Sequence, residues 1–221
     1  MPGKASTEKD AEGAREEFGR LIADYAAAPD PDRRAGVRNS IWQRFGVEGT
    51  TFISDMANFS VTSRKLGICH FLKLIHKARE TIAPLIASNN GTLLKCDADN
   101  CYAFFDKADD AIQASFDINA ALFSANQALP LEDHIYLSVG IDYGDLLLVG
   151  TEDYYGDPVN TASKLGEDLA IKGETLVTDR AVAASTYVAG EKTERMIARI
   201  SDIEINYLRL PMTGPATEAQ K

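Results

Sequence analysis

The stretch from Gly91 to Phe105 contains two short apolar segments separated by an acidic centre. Leucine, cysteine, alanine and phenylalanine lie on either side, and residues 97–100 read Asp-Ala-Asp-Asn. Aspartate and asparagine are unfavourable inside a strand and common in tight turns. The stretch therefore predicts an antiparallel β-hairpin whose tip presents carboxylates to solvent.

Amphipathic helices are predicted on both sides of this hairpin, because apolar residues recur at helical spacing from Gly67 to Asn89 and over residues 108–128. Further strands are predicted at residues 50–55, 134–143, 146–149, 174–178, 196–200 and 203–210, and further helices at 159–171 and 180–187. Residues 144–145 are predicted to form the turn of a second hairpin. This order predicts an α+β fold of ferredoxin-like type, a mixed and mostly antiparallel sheet with helices packed on it.

The N-terminal part predicts a short helical extension, with helices at residues 11–28 and 33–45. Their apolar faces would pack on the main domain or on a partner subunit. We divide the chain into an N-terminal helical extension at 1–46, a main domain at 47–211 and a polar tail at 212–221.

The charge balance is acidic, with 23 lysines and arginines against 33 aspartates and glutamates, a net charge of −10. This balance argues against a general nucleic-acid-binding surface, so a phosphate ligand would need local donors or a metal. The chain contains no apolar run of about 18 residues and its N-terminus is charged from Lys4 onward, so we expect neither membrane insertion nor export, and a cytoplasmic location.

Three cysteines, Cys69, Cys96 and Cys101, lie in apolar or strand-like surroundings without the spacing of a metal or redox motif. In a cytosolic protein this pattern predicts reduced core thiols rather than disulfides or zinc ligands.

Two aspartates occupy places where a sheet exposes its ligand-binding residues. Asp55 ends the first predicted strand and Asp99 lies at the hairpin tip, so the two are neighbours if their strands pair. Paired carboxylates of this kind commonly hold Mg²⁺ or Mn²⁺ against phosphate oxygens. The alternative is two unrelated surface acids.

Four motifs follow one another along the chain. They are Phe52-Ile-Ser-Asp55-Met-Ala-Asn-Phe-Ser60, Gly91-x3-Lys95-x3-Asp99, Val139-Gly-Ile-x2-Gly144 and Asp153-x2-Gly156-x2-Val159-Asn160-x-Ala162-Ser163. Together they resemble the ordered motifs of the class III nucleotidyl cyclases, over about residues 48–210. The resemblance implies the class III cyclase fold and the 3′,5′-cyclisation of a nucleoside triphosphate with release of pyrophosphate. It also implies a head-to-tail homodimer whose active sites are shared across the interface.

The resemblance assigns roles to single residues. Asp55 and Asp99 match the aspartates that bind two divalent metal ions, Mn²⁺ or Mg²⁺. Lys95 and Asp153 match the residues that bind the base, and Ile53, Phe59 and Ser60 match positions of further substrate contacts. The backbone amides around 58–60 would bind the phosphates. Asn160 matches the residue that orients the ribose, and Lys164 takes the position that contacts the α-phosphate. Lys95, Asp153 and Asn160 would come from the partner subunit.

The chain departs from the family pattern at several positions. Lys164 stands where the family has an arginine, so the charge is kept and the bidentate fork is lost. Asp145 and the pair 201–202 replace usual triphosphate contacts, and Ala98 replaces a glycine, which a turn tolerates if the φ of Ala98 is negative. These departures leave open a degenerate cyclase-fold module that binds nucleotide without turnover.

The base is not fixed by the Lys95 and Asp153 pair, because a donor beside an acceptor complements adenine, cytosine or uracil, and guanine fits worst. A second resemblance, carried by Ala98-Asp99-Asn100 and residues 163–168 in a short chain without a sensor domain, is to the stand-alone bacterial pyrimidine cyclases of antiphage signalling. It implies that UTP, and then CTP, is cyclised to a second messenger that activates a separate effector protein. An adenylate cyclase that makes cyclic AMP from ATP is the runner-up.

Overall fold

The computed structural model describes residues 8–57, 64–190, 193–200 and 203–210, and the predicted polar tail lies outside these ranges. The helices are α1 (Glu8–Ala27), α2 (Pro31–Phe45), α3 (Ile68–Ser88), α4 (Ala108–Asn126), α5 (Asp157–Ser163) and α6 (Asp179–Ala183), and a π-helix (Lys164–Leu169) continues α5. The strands are β1 (Gly46–Met56), β2 (Thr92–Asp97), β3 (Asn100–Phe105), β4 (Leu137–Val149), β5 (Asp153–Tyr155), β6 (Thr175–Thr178), β7 (Glu194–Ile200) and β8 (Ile203–Leu210).

The strands form one sheet in the order β2-β3-β1-β4-β6-β8-β7, and β5 pairs with the end of β4. The pair β4–β6 is parallel and the other pairs are antiparallel. The predicted α+β class, with a mixed and mostly antiparallel sheet, is confirmed. Among the described residues, no helix is long and apolar enough to cross a membrane.

The main core lies between one face of the sheet and the helices α3 and α4. Phe52 and Phe105 of the sheet, Ile82 of α3 and Ile118 of α4 are almost completely buried there. Burying a side chain of this size contributes about 1.5–3 kcal/mol. The two amphipathic helices predicted on either side of the hairpin are confirmed, although the apolar Ile68 and Leu72 near the start of α3 are exposed.

Two glycines allow α5 and the π-helix to pack closely on the sheet. A Cβ atom at Gly140 of β4 would lie 2.0 Å from the carbonyl oxygen of Ala162, and one at Gly166 would lie 3.0 Å from the carbonyl oxygen of Ile53. Side chains at these two positions would push the segment off β1 and β4. The two glycines thus determine how close the segment that carries Asn160 and Lys164 lies to the sheet.

The N-terminal helices pack on their own chain, on the end of β4. Ile41 and Phe45 of α2 are buried against Val149, and the ring of Phe18 in α1 meets the ring of Phe45 edge-on at 5.2 Å. Asp30 caps α2 by accepting a hydrogen bond of 2.8 Å from the amide of Arg33. The sequence left open whether these helices pack on the main domain or on a partner subunit, and the described contacts are with the main domain.

The predicted second hairpin at residues 144–145 is wrong, because β4 continues through Gly144 without a turn. β4 pairs with β1 from Leu137 to Leu147, which keeps this segment extended. The chain reverses later, at Gly150 with a φ of +60°, and returns as β5, a strand that the sequence analysis missed.

Two predicted helices also differ in extent from the structure. The helix expected at 159–171 begins earlier, at Asp157, and changes to a π-helix at Lys164. The helix expected at 180–187 ends at Ala183.

The prediction of reduced core cysteines is wrong for Cys96 and Cys101, and for Cys69 the reduced state is confirmed but the core position is wrong. Cys96 and Cys101 face each other across the β2–β3 hairpin and form a disulfide, and Cys69 is a free but exposed cysteine. The pairing follows from the hairpin register, because a two-residue turn at 98–99 makes Asp97 and Asn100 the first pair and the two cysteines the second.

We expect reduction of this disulfide to lower the free energy of unfolding by about 2 kcal/mol, because the link restricts the unfolded chain. Urea denaturation with and without dithiothreitol measures the difference. The Cys96→Ser/Cys101→Ser double variant should not respond to the reductant, whereas Cys69→Ser should respond as the wild type does. Equal midpoints for the oxidised and reduced wild type would contradict the prediction.

Candidate active site

The carboxylates of Asp55 and Asp99 lie beside each other at the end of β1. β3 pairs with β1 as far as Ser54 and Cys101, so the turn that follows β2 brings Asp99 next to Asp55. Partial burial, the negative charge of Asp99 and a hydrogen bond shared with it raise the pKa of Asp55 from 3.8 to about 7. The structure thus brings together the two acids for which the sequence suggested a metal.

The turn that carries Asp99 is held by α3. Ala98 has a φ of +47°, so the condition of a negative φ is not met and the alanine adopts the left-handed conformation that glycine prefers. The guanidinium of Arg79 donates a hydrogen bond of 2.6 Å to the carbonyl oxygen of Ala98 and a longer one to that of Cys96. Sequence reasoning missed Arg79, which shows there only as one more polar residue of an amphipathic helix.

The two carboxylates fit a divalent cation of the Mg²⁺ or Mn²⁺ kind. Such cations prefer oxygen ligands and are commonly held by one or two carboxylates, with phosphate oxygens and water in the other positions. Among the described residues, no group of three or more His, Cys, Asp or Glu side chains could hold a metal ion. A cation held by these two carboxylates would take its remaining ligands from phosphate oxygens and water.

Lys95 and Asp153 form the second pair that the sequence predicted. The ammonium of Lys95 donates a hydrogen bond of 2.8 Å to Asp153 Oδ1 and lies 5.2 Å from the centre of the Tyr102 ring. Tyr154 N also donates to Oδ1, and the hydroxyl of Tyr155 donates to Oδ2, each at 2.9 Å. Partial burial raises the pKa of Asp153, but the hydrogen bonds from Lys95, Tyr155 and Tyr154 outweigh it and the net pKa is lowered.

The remaining predicted site residues lie on different elements. Asn160 is exposed on α5, and Lys164 at the start of the π-helix is bound by Asp168 at 2.8 Å, which raises the pKa of Lys164. Ile53 is completely buried in β1, so it could contact substrate only through its main chain. Phe59 and Ser60 lie outside the described residues, as do residues 201–202.

Arg180 anchors α5 and was missed by sequence reasoning. It donates to the buried carboxylate of Asp142 in β4, through Nε at 3.0 Å and through Nη2, and it also pairs with Asp157 at 2.7 Å. Burial raises the pKa of Asp142 against these hydrogen bonds and one from Thr178. An aspartate inside an apolar strand sequence, Asp142, is the signal that could have revealed this link.

The raised pKa of Asp55 predicts how the stability of the metal-free protein depends on pH. The folded protein binds the Asp55 proton more tightly than the unfolded chain does, so this contribution to the free energy of unfolding falls as pH rises from about 4 through about 7. We expect Asp55→Asn to become more stable relative to the wild type over that range. Urea denaturation in EDTA measures it, with Asp106→Asn, at an exposed position, as the control. A pH-independent difference between Asp55→Asn and the wild type would rule out the raised pKa.

Comparison with known proteins gives several matches to nucleotide cyclases. No protein-family model matches the sequence. A curated relative from Rhizobium meliloti (strain 1021), named "Putative adenylate cyclase 3", is 31% identical over 106 residues, which are 48% of this chain and 18% of that protein. The chain thus spans about a fifth of the length of this relative.

Solved structures match a larger share of the chain. An adenylate/guanylate cyclase/hydrolase from Silicibacter pomeroyi is 26% identical and covers 74% of this chain and 96% of its own, with a TM-score of 0.62. A bacterial light-regulated adenylyl cyclase is 22% identical and covers 74% of this chain and 89% of its own. The guanylate cyclase domain of RhGC from Catenaria anguillulae, solved with GTP, is 17% identical and covers 76% of this chain and 98% of its own. Both have TM-scores of 0.62, and at these identities they show the shared fold.

Proposed function

We propose that this chain, which contains a class III nucleotidyl cyclase domain, converts a nucleoside triphosphate to a 3′,5′-cyclic nucleotide and pyrophosphate. The observation that carries the proposal is the Asp55–Asp99 pair at the end of β1, in a fold shared with adenylate and guanylate cyclases. We keep the division into an N-terminal extension at 1–46, a catalytic domain at 47–211 and a tail at 212–221 as part of this proposal.

Asp55 and Asp99 would hold two divalent metal ions, Mn²⁺ or Mg²⁺. Such ions lower the pKa of a bound ribose hydroxyl and offset the charge of the triphosphate. Because the pKa of Asp55 is about 7 in the protein alone, about half of the molecules carry a proton on this carboxyl at neutral pH, and cation binding releases it. Mutual repulsion of the two carboxylates then favours cation binding.

The other predicted residues would bind and orient the substrate. Lys95 and Asp153 would read the base, and Asn160, exposed on α5, would orient the ribose. Lys164 would act as a point charge on the α-phosphate and must exchange its bond to Asp168 for this contact. A lysine places its charge with less geometric control than an arginine, so we expect slow turnover.

We further propose a homodimer with shared sites, in which Lys95, Asp153 and Asn160 of one subunit complete the site of Asp55 and Asp99 of the other. The β2–β3 hairpin carries both Lys95 and Asp99, so one copy of it would serve two sites.

For the base we favour uracil and then cytosine, with the product as a second messenger of antiphage defence that acts on a separate effector protein in the cytoplasm. The support for a pyrimidine is the resemblance carried by residues 98–100 and 163–168 to the stand-alone pyrimidine cyclases. The alternative is an adenylate cyclase, which is supported by the name of the curated relative and by the match of a donor–acceptor pair to adenine.

Incubation of the purified protein with each of the four triphosphates and Mn²⁺, followed by mass spectrometry, identifies the product. We expect cyclic UMP as the main product and less cyclic CMP. Cyclic AMP as the main product would replace the pyrimidine assignment by the adenylate one. No product in a verified dimer would favour a nucleotide-binding module.

In the same assay, Asp55→Asn and Asp99→Asn should each lower kcat at least about a hundredfold, because metal coordination contributes several kcal/mol to the transition state. Asp97→Asn is the matched control, since Asp97 is an exposed acid of the same hairpin. Equal activity of all three variants would rule out catalysis by this acid pair.

Mixing Asp99→Ala and Lys95→Ala subunits tests the shared site. Each mixed dimer would have one intact site, so the mixture should recover about a quarter of the wild-type activity if subunits combine at random. Each variant alone should remain inactive. Failure to recover activity, with mixed dimers verified by native mass spectrometry, would contradict the shared geometry.

A further inference from the structure

The carboxylate of Asp153 accepts hydrogen bonds from three donors, and one of them is the side chain of a residue without an assigned role. Oδ1 accepts hydrogen bonds from Lys95 Nζ and Tyr154 N, and Oδ2 accepts one from the hydroxyl of Tyr155. Burial and the neighbouring carboxylate raise the pKa of Tyr155 above its ordinary value of 10, so its hydroxyl stays protonated and remains a donor. Oδ2 has a second lone pair that can accept from a ligand.

β5 orients its two tyrosines in opposite directions. Tyr154 is 3% exposed and its hydroxyl points to the carbonyl oxygen of Phe52 in the sheet, whereas Tyr155 is 47% exposed. Alternation along a strand places Tyr155 on the same side as Asp153. A half-exposed tyrosine holds one orientation only if something packs against its ring.

Helix α1 packs against that ring. The Phe18 ring stacks on the Tyr155 ring with 5.4 Å between centres and 8° between planes, and Phe18 is held in turn by Phe45 of α2. Arg15 of α1 forms an ion pair with Glu152, and Ala11 lies 3.3 Å from where a Cβ atom of Gly150 would be. Ala11, Arg15 and Phe18 are four and three positions apart, so they share one face of the helix. That face contacts the turn at 150–152 and then β5.

We propose that Tyr155 is a positioning residue for nucleobase recognition: stacked on Phe18 of the N-terminal helix, its hydroxyl fixes the Asp153 carboxylate so that the free lone pair of Oδ2 faces an N–H of the base. The inference rests on the proposed function, in which Lys95 and Asp153 read the base. It gives the N-terminal helices a role, because they set the orientation of a substrate-reading group from outside the site.

The physical basis is the freedom of the aspartate side chain. Rotation of a carboxylate about its terminal bond has a broad, roughly two-fold profile, so a carboxylate without a partner on Oδ2 samples several orientations. Fixing it before the base arrives reduces the ordering cost of binding. Losing the tyrosine hydroxyl should therefore weaken base binding and leave the chemical step unchanged.

The decisive variant is Tyr155→Phe, which keeps the stacked ring and removes the hydroxyl. We expect KM for the preferred triphosphate to rise about tenfold, the effect of one hydrogen bond to a charged group, with kcat within about twofold of the wild type. Calorimetry with the non-cyclising 3′-deoxy-UTP and 3′-deoxy-ATP should show that Kd for the analogue of the preferred base also rises about tenfold. Tyr187→Phe, which removes a hydroxyl bonded to Thr193, is the matched control and should change neither KM nor Kd.

Phe18→Leu tests the link to α1. It should raise KM in the same direction as Tyr155→Phe but less, and the double variant should be no worse than Tyr155→Phe alone, because both changes act on one contact. Additive losses in the double variant would overturn the role of α1. Urea midpoints of the variants distinguish loss of positioning, which changes KM at constant stability, from general destabilisation.

The experiment separates this inference from the proposed function. If the wild type cyclises a triphosphate and Tyr155→Phe leaves KM and Kd unchanged, or lowers only kcat, the positioning role is wrong and the proposed function stands. If the wild type forms no product but binds a 3′-deoxy analogue about tenfold more tightly than Tyr155→Phe does, the proposed function fails and the positioning role stands. If the wild type binds neither analogue, both are overturned.

Discussion

The central position of β1 in the sheet is the constraint on which the rest of the structure depends. β1 pairs with β4 over all of its eleven residues, and β3 covers its other edge at residues 50–54. The main chain that carries Asp55 is therefore fixed by hydrogen bonds and by the core beneath Phe52. A carboxylate whose ionisation is disfavoured by burial and by a like charge can persist there because the strand cannot move away.

The β2–β3 hairpin joins the two pairs of polar residues. Lys95 lies in β2 and Asp99 lies in the turn. The disulfide between Cys96 and Cys101 links β2 to β3 next to this turn. Arg79 of α3 holds the turn by its carbonyl oxygens, so the left-handed Ala98 is maintained from outside the hairpin. The disulfide and Arg79 thus restrain the hairpin that carries Lys95 and Asp99, and such restraint favours accurate substrate positioning.

Two further sets of contacts, which we call supports, attach neighbouring segments to β4. On one side, Gly140 admits the close approach of Ala162, and Arg180 ties the start of α5 to Asp142. At the far end of β4, β5 receives α1 and α2, so the extension contributes to the environment of Asp153. In both cases the supporting residue is distant in sequence from the residue it contacts, as Phe18 is from Tyr155 and Arg180 is from Asp142.

The sequence by itself determined most helices and strands of this protein and the acidic character of the hairpin tip. Helical periodicity in α3 and α4 and the turn chemistry at 97–100 depend on near neighbours in the chain, so they can be read without coordinates. The ordered motifs also indicated Asp55, Asp99, Lys95 and Asp153 before any geometry was known. The structure brings these residues together in two pairs, and their roles stay predictions, as do those of Asn160, Lys164, Ile53, Phe59 and Ser60.

Only the tertiary structure decided which groups face one another. The continuation of β4 through Gly144, the disulfide between Cys96 and Cys101 and the stacking of Phe18 on Tyr155 all depend on strand register or helix packing. The left-handed Ala98 and the anchor between Arg180 and Asp142 likewise rest on partners from other elements. Local sequence fixes the side on which a residue lies along its own element, but the residue it meets is set by the free energy of the whole packed core.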